Sequence, residues 1–131
     1  MSAIITKYGF VETAKLLTAV DSPVAFASIA VGTGSSTEST DVSALATEIT
    51  ASGLARASAA TVSTASSATA ADTAKFVHTW TATGSYNVKE CGVFNSSANG
   101  DLLCYATFAS AIPMESADTL QVTWSVQVKA G

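Results

Sequence analysis

After Asp118, polar and apolar residues alternate without a break up to Lys129. One parity holds only Thr, Gln, Ser and Lys, and the other holds five apolar residues, namely Leu120, Val122, Trp124, Val126 and Val128. Because successive strand residues point to opposite faces of a sheet, the alternation over 118–129 predicts a long strand with one buried face and one polar face. We interpret it as the central strand of a β-sandwich.

A second alternating segment, 75–82, predicts another strand that contributes to the same core. It places Phe76, His78 and Trp80 on one face and Lys, Val and Thr on the other. Alternating strands bury their large apolar side chains, so we predict a core built from eight residues on these and neighbouring strands. They are Phe76, Trp80, Phe94, Phe108, Leu120, Val122, Trp124 and Val126.

Segments 86–95 and 101–108 flank an Asn-Gly pair at 99–100 and predict a hairpin, since this pair accepts positive φ easily. Two less regular strands and one loop are also predicted. They are a strand over 24–31 that is apolar on both faces, a strand over 55–64 with small side chains, and a loop over 65–73.

One helix is predicted near the N-terminus, over residues 7–19, with Thr6 as its N-cap. Its apolar stripe, Phe10, Ala14 and Leu17 joined by Val11 and Leu16, is expected to cover the sandwich. The fold class predicted is therefore mainly β: an antiparallel, jelly-roll-like β-sandwich of seven or eight strands, with one N-terminal α-helix, in a single domain over 1–131.

Composition and charge restrict the partners. Charged residues make up 12% of the chain, against about 25% in an average soluble protein, and the net charge is -4. Nucleic acid is excluded as the expected partner because phosphate binding needs clustered Lys and Arg, whereas the six basic residues are scattered. No apolar run is long enough for a membrane span, and Lys7, Glu12 and Lys15 interrupt any signal-peptide pattern.

The two cysteines, Cys91 and Cys104, flank the predicted hairpin. With a two-residue turn, Cys104 would lie opposite Asn95 and Cys91 opposite Phe108, so the cysteines are not direct partners across the hairpin. We expect two buried reduced thiols, with a disulfide as the alternative.

Candidate reactive groups are few. His78 is the only histidine, so a His-rich metal site cannot form within one chain, and we interpret His78 as a hydrogen-bonded strand residue. Glu38 and Asp41 lie in a polar loop, where a calcium site is the alternative to a solvated or partner-facing loop, but their spacing is not that of a calcium loop. The Gly-Thr-Gly at 32–34 lacks the lysine of a phosphate loop. No catalytic residue, metal site or cofactor is predicted.

Glu90 shares the strand parity of Tyr86 and Phe94, which directs it inward. A buried carboxylate is costly unless it is paired, so we predict a structural salt bridge between Glu90 and Arg56. A paired-carboxylate glycosidase would need a second acid on a neighbouring strand, and none is found. The aromatic residues could alternatively form a sugar-binding platform, although their alternation with polar residues is typical of core strands. They are Phe76, Trp80, Phe94, Tyr105, Phe108 and Trp124.

Four segments resemble a type of bacteriophage virion domain: ASIAVGTG, EITASGLARASAATVS, KECGVFNSSANGDLLCYATF and SADTLQVTWSVQV. The resemblance covers about 24–128 and includes Leu-Ala-Arg, ending at Arg56, and Glu-x-Gly-x-Phe, at Glu90, Gly92 and Phe94. Such domains often have a small apolar residue at the position of Cys91, which supports the buried-thiol interpretation. Relatives of this type occur as small virion proteins or as modules of tail fibres.

The resemblance implies a non-enzymatic virion protein. The expected function is capsid decoration, in which a cement protein binds the outside of the assembled shell and reinforces contacts between capsomers. Its expected partners are the major capsid protein and copies of itself, as a homotrimer, and it would be made in the bacterial host cytoplasm and located at the capsid surface. The alternative is a receptor- or carbohydrate-binding module of the phage tail, with a host glycan as its ligand.

Overall fold

Two antiparallel sheets and one helix make up the fold of the computed structural model, which describes residues 2–64 and 72–128. In chain order the elements are β1 Ser2–Ile5, α1 Lys7–Thr18, β2 Ser28–Gly32, β3 Ala57–Ser58, β4 Ala60–Thr64, β5 Thr73–Thr81, β6 Tyr86–Phe94, β7 Leu102–Met114 and β8 Thr119–Gln127. The first sheet has the strand order β1-β7-β6-β2-β3 and the second has β4-β5-β8. The predicted mainly β architecture with one N-terminal helix is confirmed, and the two antiparallel sheets are consistent with a sandwich. The jelly-roll connectivity stays a prediction.

The strand predicted to be central, β8, lies at an edge of the second sheet. Its partner is β5, in a continuous register from Thr73 opposite Gln127 to Thr81 opposite Thr119. The alternation itself is confirmed, since exposed and more buried residues alternate along β8. Alternation reports which faces are covered and not how many strands flank a strand, so the prediction of a central position was wrong.

The main core lies between the facing sides of the two sheets. Phe76, Trp80 and Leu120 from the second sheet are buried there against residues such as Val31 and Val93 of the first. Four other predicted core residues are partly buried and pack against this cluster: Phe108, Val122, Trp124 and Val126. These seven residues therefore contribute to one core.

The first sheet also has a covered outer face. Phe94, the eighth predicted core residue, is buried there with Leu102 and Tyr105, beneath Val42 and Leu45 of the segment that follows β2. This segment, residues 33–49, is named the cover loop below. The first sheet thus separates two apolar clusters, which explains why β2 is buried along its whole length.

Several element bounds differ from the sequence predictions. The strand predicted over 24–31 begins only at Ser28. The strand predicted over 55–64 is divided at Ala59, whose N–H donates to the carbonyl of Ala27 at 2.8 Å, and the chain passes there from the first sheet to the second. In the predicted loop over 65–73, residues 65–71 lie outside the described residues, and β5 already begins at Thr73.

The hairpin of β6 and β7 has a longer turn than the Asn-Gly pair predicted. Asn95 N–H donates to Asp101 O at 3.2 Å, so five residues form the turn. Cys104 consequently lies opposite Val93, and Cys91 lies opposite Ala106, which corrects the predicted register. Both cysteines are buried and unbonded, as the sequence indicated.

Helix α1 begins at the predicted N-cap. The Thr6 hydroxyl accepts the N–H of Gly9 at 3.0 Å, and it donates to the carbonyl of Leu102 on β7. A Cβ on Gly9 would lie 2.5 Å from the carbonyl oxygen of Leu103, so glycine permits the close approach of helix and sheet. The 12 residues of α1 are too few to cross a membrane, and no described helix is long and apolar enough to do so.

The apolar stripe of α1 does not cover the sandwich. Phe10 is 57% exposed and Leu17 is 84% exposed, whereas Gly9 and Glu12 are the buried residues of the helix. The hydrogen bonds of Thr6 and the contact of Gly9 fix the rotation of the helix and turn the stripe toward solvent. The predicted stripe exists, but its predicted direction was wrong.

Candidate functional site

Glu90 is fully buried, at 0% exposure, and its carboxylate accepts four hydrogen bonds. Oε1 accepts from the Tyr105 hydroxyl at 2.7 Å and from the N–H of Ala46 at 2.8 Å. Oε2 accepts from the N–H groups of Thr47 at 2.8 Å and Gly34 at 3.2 Å. Three of these donors are backbone groups of the cover loop, so Glu90 ties this loop to the sheet.

A shift in the β6–β7 register between Val88 and Glu90 places the carboxylate on the outer face of the first sheet. Val88 is in the main core, whereas Glu90 lies beneath the cover loop, so Tyr86 and Phe94 do not share one face as predicted. The side chain is buried, as expected, but under the loop and not between the sheets.

Glu90, Gly92 and Phe94 form one row on this face, named the docking strip. A Cβ on Gly92 would lie 2.7 Å from Cδ1 of Leu102 and 3.1 Å from Cδ1 of Leu45. Glycine therefore leaves room for the Leu45 side chain of the cover loop. In the docking strip, Glu90 thus binds backbone amides of the loop, and Gly92 provides space for Leu45.

Phe94, the third residue of the docking strip, carries Arg56. The Arg56 guanidinium lies 3.6 Å from the centroid of the Phe94 ring, and its side chain is 8% exposed. Nε and Nη2 donate to the two carboxylate oxygens of Glu48, at 3.0 and 2.6 Å. Nη1 donates to the carbonyls of Ser96 and Asn99, at 3.1 and 2.7 Å. Arg56 thus joins the end of the cover loop to the β6–β7 turn.

The predicted salt bridge between Arg56 and Glu90 is wrong. Arg56 pairs with Glu48, and the donors to Glu90 are backbone amides and a phenol. Five hydrogen-bond donors in a planar fork suit a bidentate carboxylate and two carbonyls together. Both residues of the proposed pair hold the cover loop in place, through different partners.

The two carboxylates considered for calcium are engaged elsewhere. Glu38 Oε1 accepts from the N–H and the hydroxyl of Thr107 on β7. Asp41 accepts from Nζ of Lys7 at 2.7 Å, at an exposed position. Among the described residues, no group of three or more His, Cys, Asp or Glu side chains is arranged to hold a metal ion.

Burial shifts several pKa values upward. It raises the pKa of the Cys91 thiol to about 12 and the pKa of Tyr105 to about 12, with Glu90 adding to the second shift. The pKa of Cys104 is raised for the same reason. The Asp101 carboxyl also has a raised pKa, first from burial and then from the neighbouring Glu12. The thiols of Cys91 and Cys104 are therefore protonated at neutral pH and are poor nucleophiles.

The remaining candidates form ordinary packing contacts. His78 meets Trp80 edge-on, with ring centroids 4.6 Å apart, and the Trp80 indole N–H donates to the carbonyl of Ala55 at 2.8 Å. Phe76 and Phe94 are buried, so these residues cannot form an open sugar platform. The buried and partly buried positions of the aromatic residues agree with their interpretation as core residues.

The arrangement around the docking strip is suited to fixing a loop. Both carboxylate oxygens of Glu90 accept hydrogen bonds from the cover loop. The Arg56 guanidinium donates to Glu48 on one side and to the carbonyl of Ser96 on the other. Sequence reasoning considered Tyr105 only as an aromatic residue and missed its hydrogen bond to Glu90, and it missed Glu48 altogether. Tyr105 follows Cys104 on an apolar strand without a distinguishing pattern, and Glu48 lies in a loop without periodicity, so only the acid-base complementarity of Glu48 and Arg56 could have indicated the pair.

Comparisons of the chain with protein-family models, with curated proteins and with solved structures find no match.

Proposed function

We propose that this protein is a non-enzymatic bacteriophage virion protein that decorates the capsid, binding the outside of the assembled shell and reinforcing contacts between capsomers. One observation carries the proposal: the residues on which the resemblance to virion domains rests are the residues that hold the cover loop in place. Arg56 and Glu90 each fasten the cover loop, and Gly92 leaves space for it. These residues hold the cover loop in place on the first sheet, as a structural role requires.

The character of the surface supports an assembly role. The net charge is small for the chain length, and the exposed polar residues of the strands are mostly Thr, Ser and Gln. Copies can therefore be packed densely with little like-charge repulsion. The proposed partners are the major capsid protein and copies of this chain, with a homotrimer as the proposed assembly on the capsid.

Cosedimentation with expanded capsids that lack the protein tests this function. We expect saturable binding at a fixed ratio to the major capsid protein, measured by quantifying both proteins in the pellet. Binding to purified tails or host cells, together with no binding to capsids, would contradict decoration. That outcome would support the alternative of a tail module that binds a receptor or a glycan.

A further inference from the structure

β8 is the longest of the described strands that lie at a sheet edge. The other edge strands, β1, β3 and β4, have four, two and five residues, whereas β8 has nine. Its register with β5 contains no shift, and Thr119–Gln127 contains no proline, glycine or charged residue. Edge strands are normally protected by such residues, by bulges or by short length, because an open edge pairs with other strands. β8 has none of these protections.

The backbone hydrogen bonds of β8 show which residues face the open edge. Val128 N–H donates to the carbonyl of Asp72 at 2.9 Å, and Ala82 N–H donates to the carbonyl of Asp118 at 2.8 Å. Bonded and non-bonded pairs alternate along an antiparallel register, so the even-numbered residues of β8 bond to β5. The N–H and C=O groups of the odd-numbered residues point away from β5, where no described strand pairs with them. They are Thr119, Gln121, Thr123, Ser125 and Gln127.

A cleft runs beside this edge, between β8 and the first sheet. One cavity, of about 240 Å³, is lined by residues 124–127 of β8 and residues 3–5 of β1. A second cavity, of about 220 Å³, is lined by residues 121–124 of β8 and by Phe108 of β7. Because Trp124 lines both, the two cavities follow each other along the strand. Together they are named the edge cleft.

The apolar side chains along the edge cleft are only partly covered. Val122, Trp124 and Val126 on β8 are partly buried against the main core, as are Ile5 and Phe108 on the first sheet. An added strand would cover them with every second side chain, because successive strand residues point to opposite faces. The edge cleft therefore offers both backbone groups and apolar surface to an extended chain.

We propose that β8 binds an extended segment of a partner protein in the edge cleft, as an added antiparallel strand of the second sheet. In this segment apolar residues alternate with uncharged polar residues over about nine positions, the length of β8. The apolar side chains enter the edge cleft, and the polar ones lie beside the Thr, Ser and Gln side chains of β8. Antiparallel pairing is slightly more stable than parallel pairing, and all the described strand pairs are antiparallel.

A single segment fits the edge cleft better than a second folded copy. β8 contacts the same cavity as Cys91 of β6 and Phe108 of β7, and β1 lies beyond β7 in the strand order. The first sheet therefore extends past the free edge. Another sandwich would bring its own first sheet against β1, whereas one strand needs only the space next to β8. The inference goes beyond the proposed function and does not depend on it, because it follows from the edge of β8.

Peptide binding tests the proposal. The probe is a nonapeptide of alternating threonine and valine with a lysine at each end, and binding is measured by isothermal titration calorimetry. Paired residues of an antiparallel sheet share a face, so the threonine N–H groups bond to β8 and the valine N–H groups point away. N-methylation of the threonines should weaken binding at least about 100-fold, and N-methylation of the valines should change it less than about threefold.

A peptide of the same composition with its valines in one block is the matched control, and it should bind at least about 100-fold more weakly. The proposal is overturned if the probe does not bind or if both peptides bind equally. It is also overturned if methylation of the valines is the more damaging change, since that would show a parallel strand.

Thr123→Pro locates the site on the protein. Because the Thr123 N–H points away from β5, proline removes no hydrogen bond between these strands and places its ring at the open edge. Binding of the probe should be lost. Thr61→Pro is the matched control: Thr61 lies opposite Phe76, so by the same alternation its N–H points away from β5 at the other edge of the sheet. It should bind like the wild type, and loss of binding in Thr61→Pro alone would overturn the proposal.

Amide hydrogen exchange, followed by NMR, needs no variant. In the free protein the amides of the odd-numbered residues of β8 should exchange faster than those of the even-numbered residues. The probe should slow the odd-numbered amides at least about tenfold and leave the others unchanged. The proposal is overturned if saturation with the probe does not slow them. It is equally overturned if high protein concentration alone slows them, because a second copy would then occupy the edge.

Discussion

The Tyr105 hydroxyl donates a hydrogen bond of 2.7 Å to Oε1 of Glu90, and both residues are fully buried. The same hydroxyl oxygen accepts the N–H of Ser36 in the cover loop at 2.8 Å. The Tyr105 hydroxyl, on the first sheet, therefore contacts the cover loop directly at Ser36 and indirectly through Glu90. Because a buried carboxylate is costly without compensating donors, the cover loop and Glu90 stabilise each other.

Glu90→Gln should destabilise the fold strongly. The amide keeps one acceptor oxygen and presents an NH₂ group to N–H donors that now contact a carboxylate. We expect a loss of about 2–4 kcal/mol in the free energy of unfolding, measured by urea denaturation.

Glu115→Gln serves as the control for Glu90→Gln, since Glu115 is an exposed carboxylate near the end of β7. It should change the free energy of unfolding by less than about 0.5 kcal/mol. Equal effects of the two substitutions would show that the hydrogen bonds of Glu90 do not stabilise the fold.

Tyr105→Phe should reduce stability at neutral pH and lose this effect in alkali. The pKa of Tyr105 is raised to about 12 by burial and by Glu90, above the value of about 10 in the unfolded chain. Between these two values the folded protein keeps a proton that the unfolded chain has lost, so the contribution of Tyr105 to stability falls as pH rises. The difference between wild type and Tyr105→Phe should shrink from pH about 9 to pH about 12.

Urea denaturation of both proteins at each pH measures this difference. The raised pKa values of the cysteines also lower stability in alkali, but they affect both proteins equally and cancel. Tyr86→Phe, at a partly buried tyrosine of β6, is the control. A gap between wild type and Tyr105→Phe that stays constant over this range would contradict the assignment.

The strands could be predicted from the sequence because alternation is a local property of each segment. β5 and β8 match the predicted segments within two residues, and the inward residues Trp80 and Trp124 belong to the core. The edge position of β8 could not be predicted in this way. It depends on which distant segments pair, and alternation is the same for a central strand and an edge strand.

The partners of the polar residues were harder to predict. The register shift before Glu90 reverses the face of half of β6, and a shift of one residue has no signature in the alternation itself. The face of α1 that packs on the sheet also could not be predicted, because an apolar stripe that includes Phe10 and Leu17 is usually buried. Here Gly9, a residue without a side chain, determines the packed face.

Double-mutant cycles should assign the partner of Arg56. We expect Arg56→Met alone to lower the melting temperature by well over about 2 °C, because Glu48 and two carbonyls lose their donor. Combining Arg56→Met with Glu48→Gln should give a coupling energy of about 1–3 kcal/mol, since the two side chains are in contact.

The matched cycle combines Arg56→Met with Glu90→Gln. Here the coupling energy should be clearly smaller, because the two side chains have different hydrogen-bond partners. A coupling to Glu90 that equals or exceeds the coupling to Glu48 would restore the salt bridge predicted from the sequence and contradict the observed pairing.

Asp101→Asn should stabilise the protein at neutral pH. Burial and the neighbouring Glu12 raise the pKa of Asp101, so between the unfolded and folded pKa values the folded protein holds a proton that the unfolded chain has lost. Stability therefore falls as pH rises through this window, and at neutral pH the charged Asp101 destabilises the fold. Asparagine removes this charge and keeps the shape of the side chain, so we expect a melting temperature higher by about 1–3 °C at pH 7.

The dependence of this gain on pH separates charge from packing. At pH about 3 the Asp101 carboxyl is protonated in both states, and Asp101→Asn should melt together with the wild type. Asp21→Asn, at an exposed position with φ of 60° that asparagine tolerates, controls for the loss of one negative charge and should show no such gain. Scanning calorimetry at the two pH values makes the comparison, and a gain that persists unchanged at low pH would mean that the negative charge of Asp101 is not its cause.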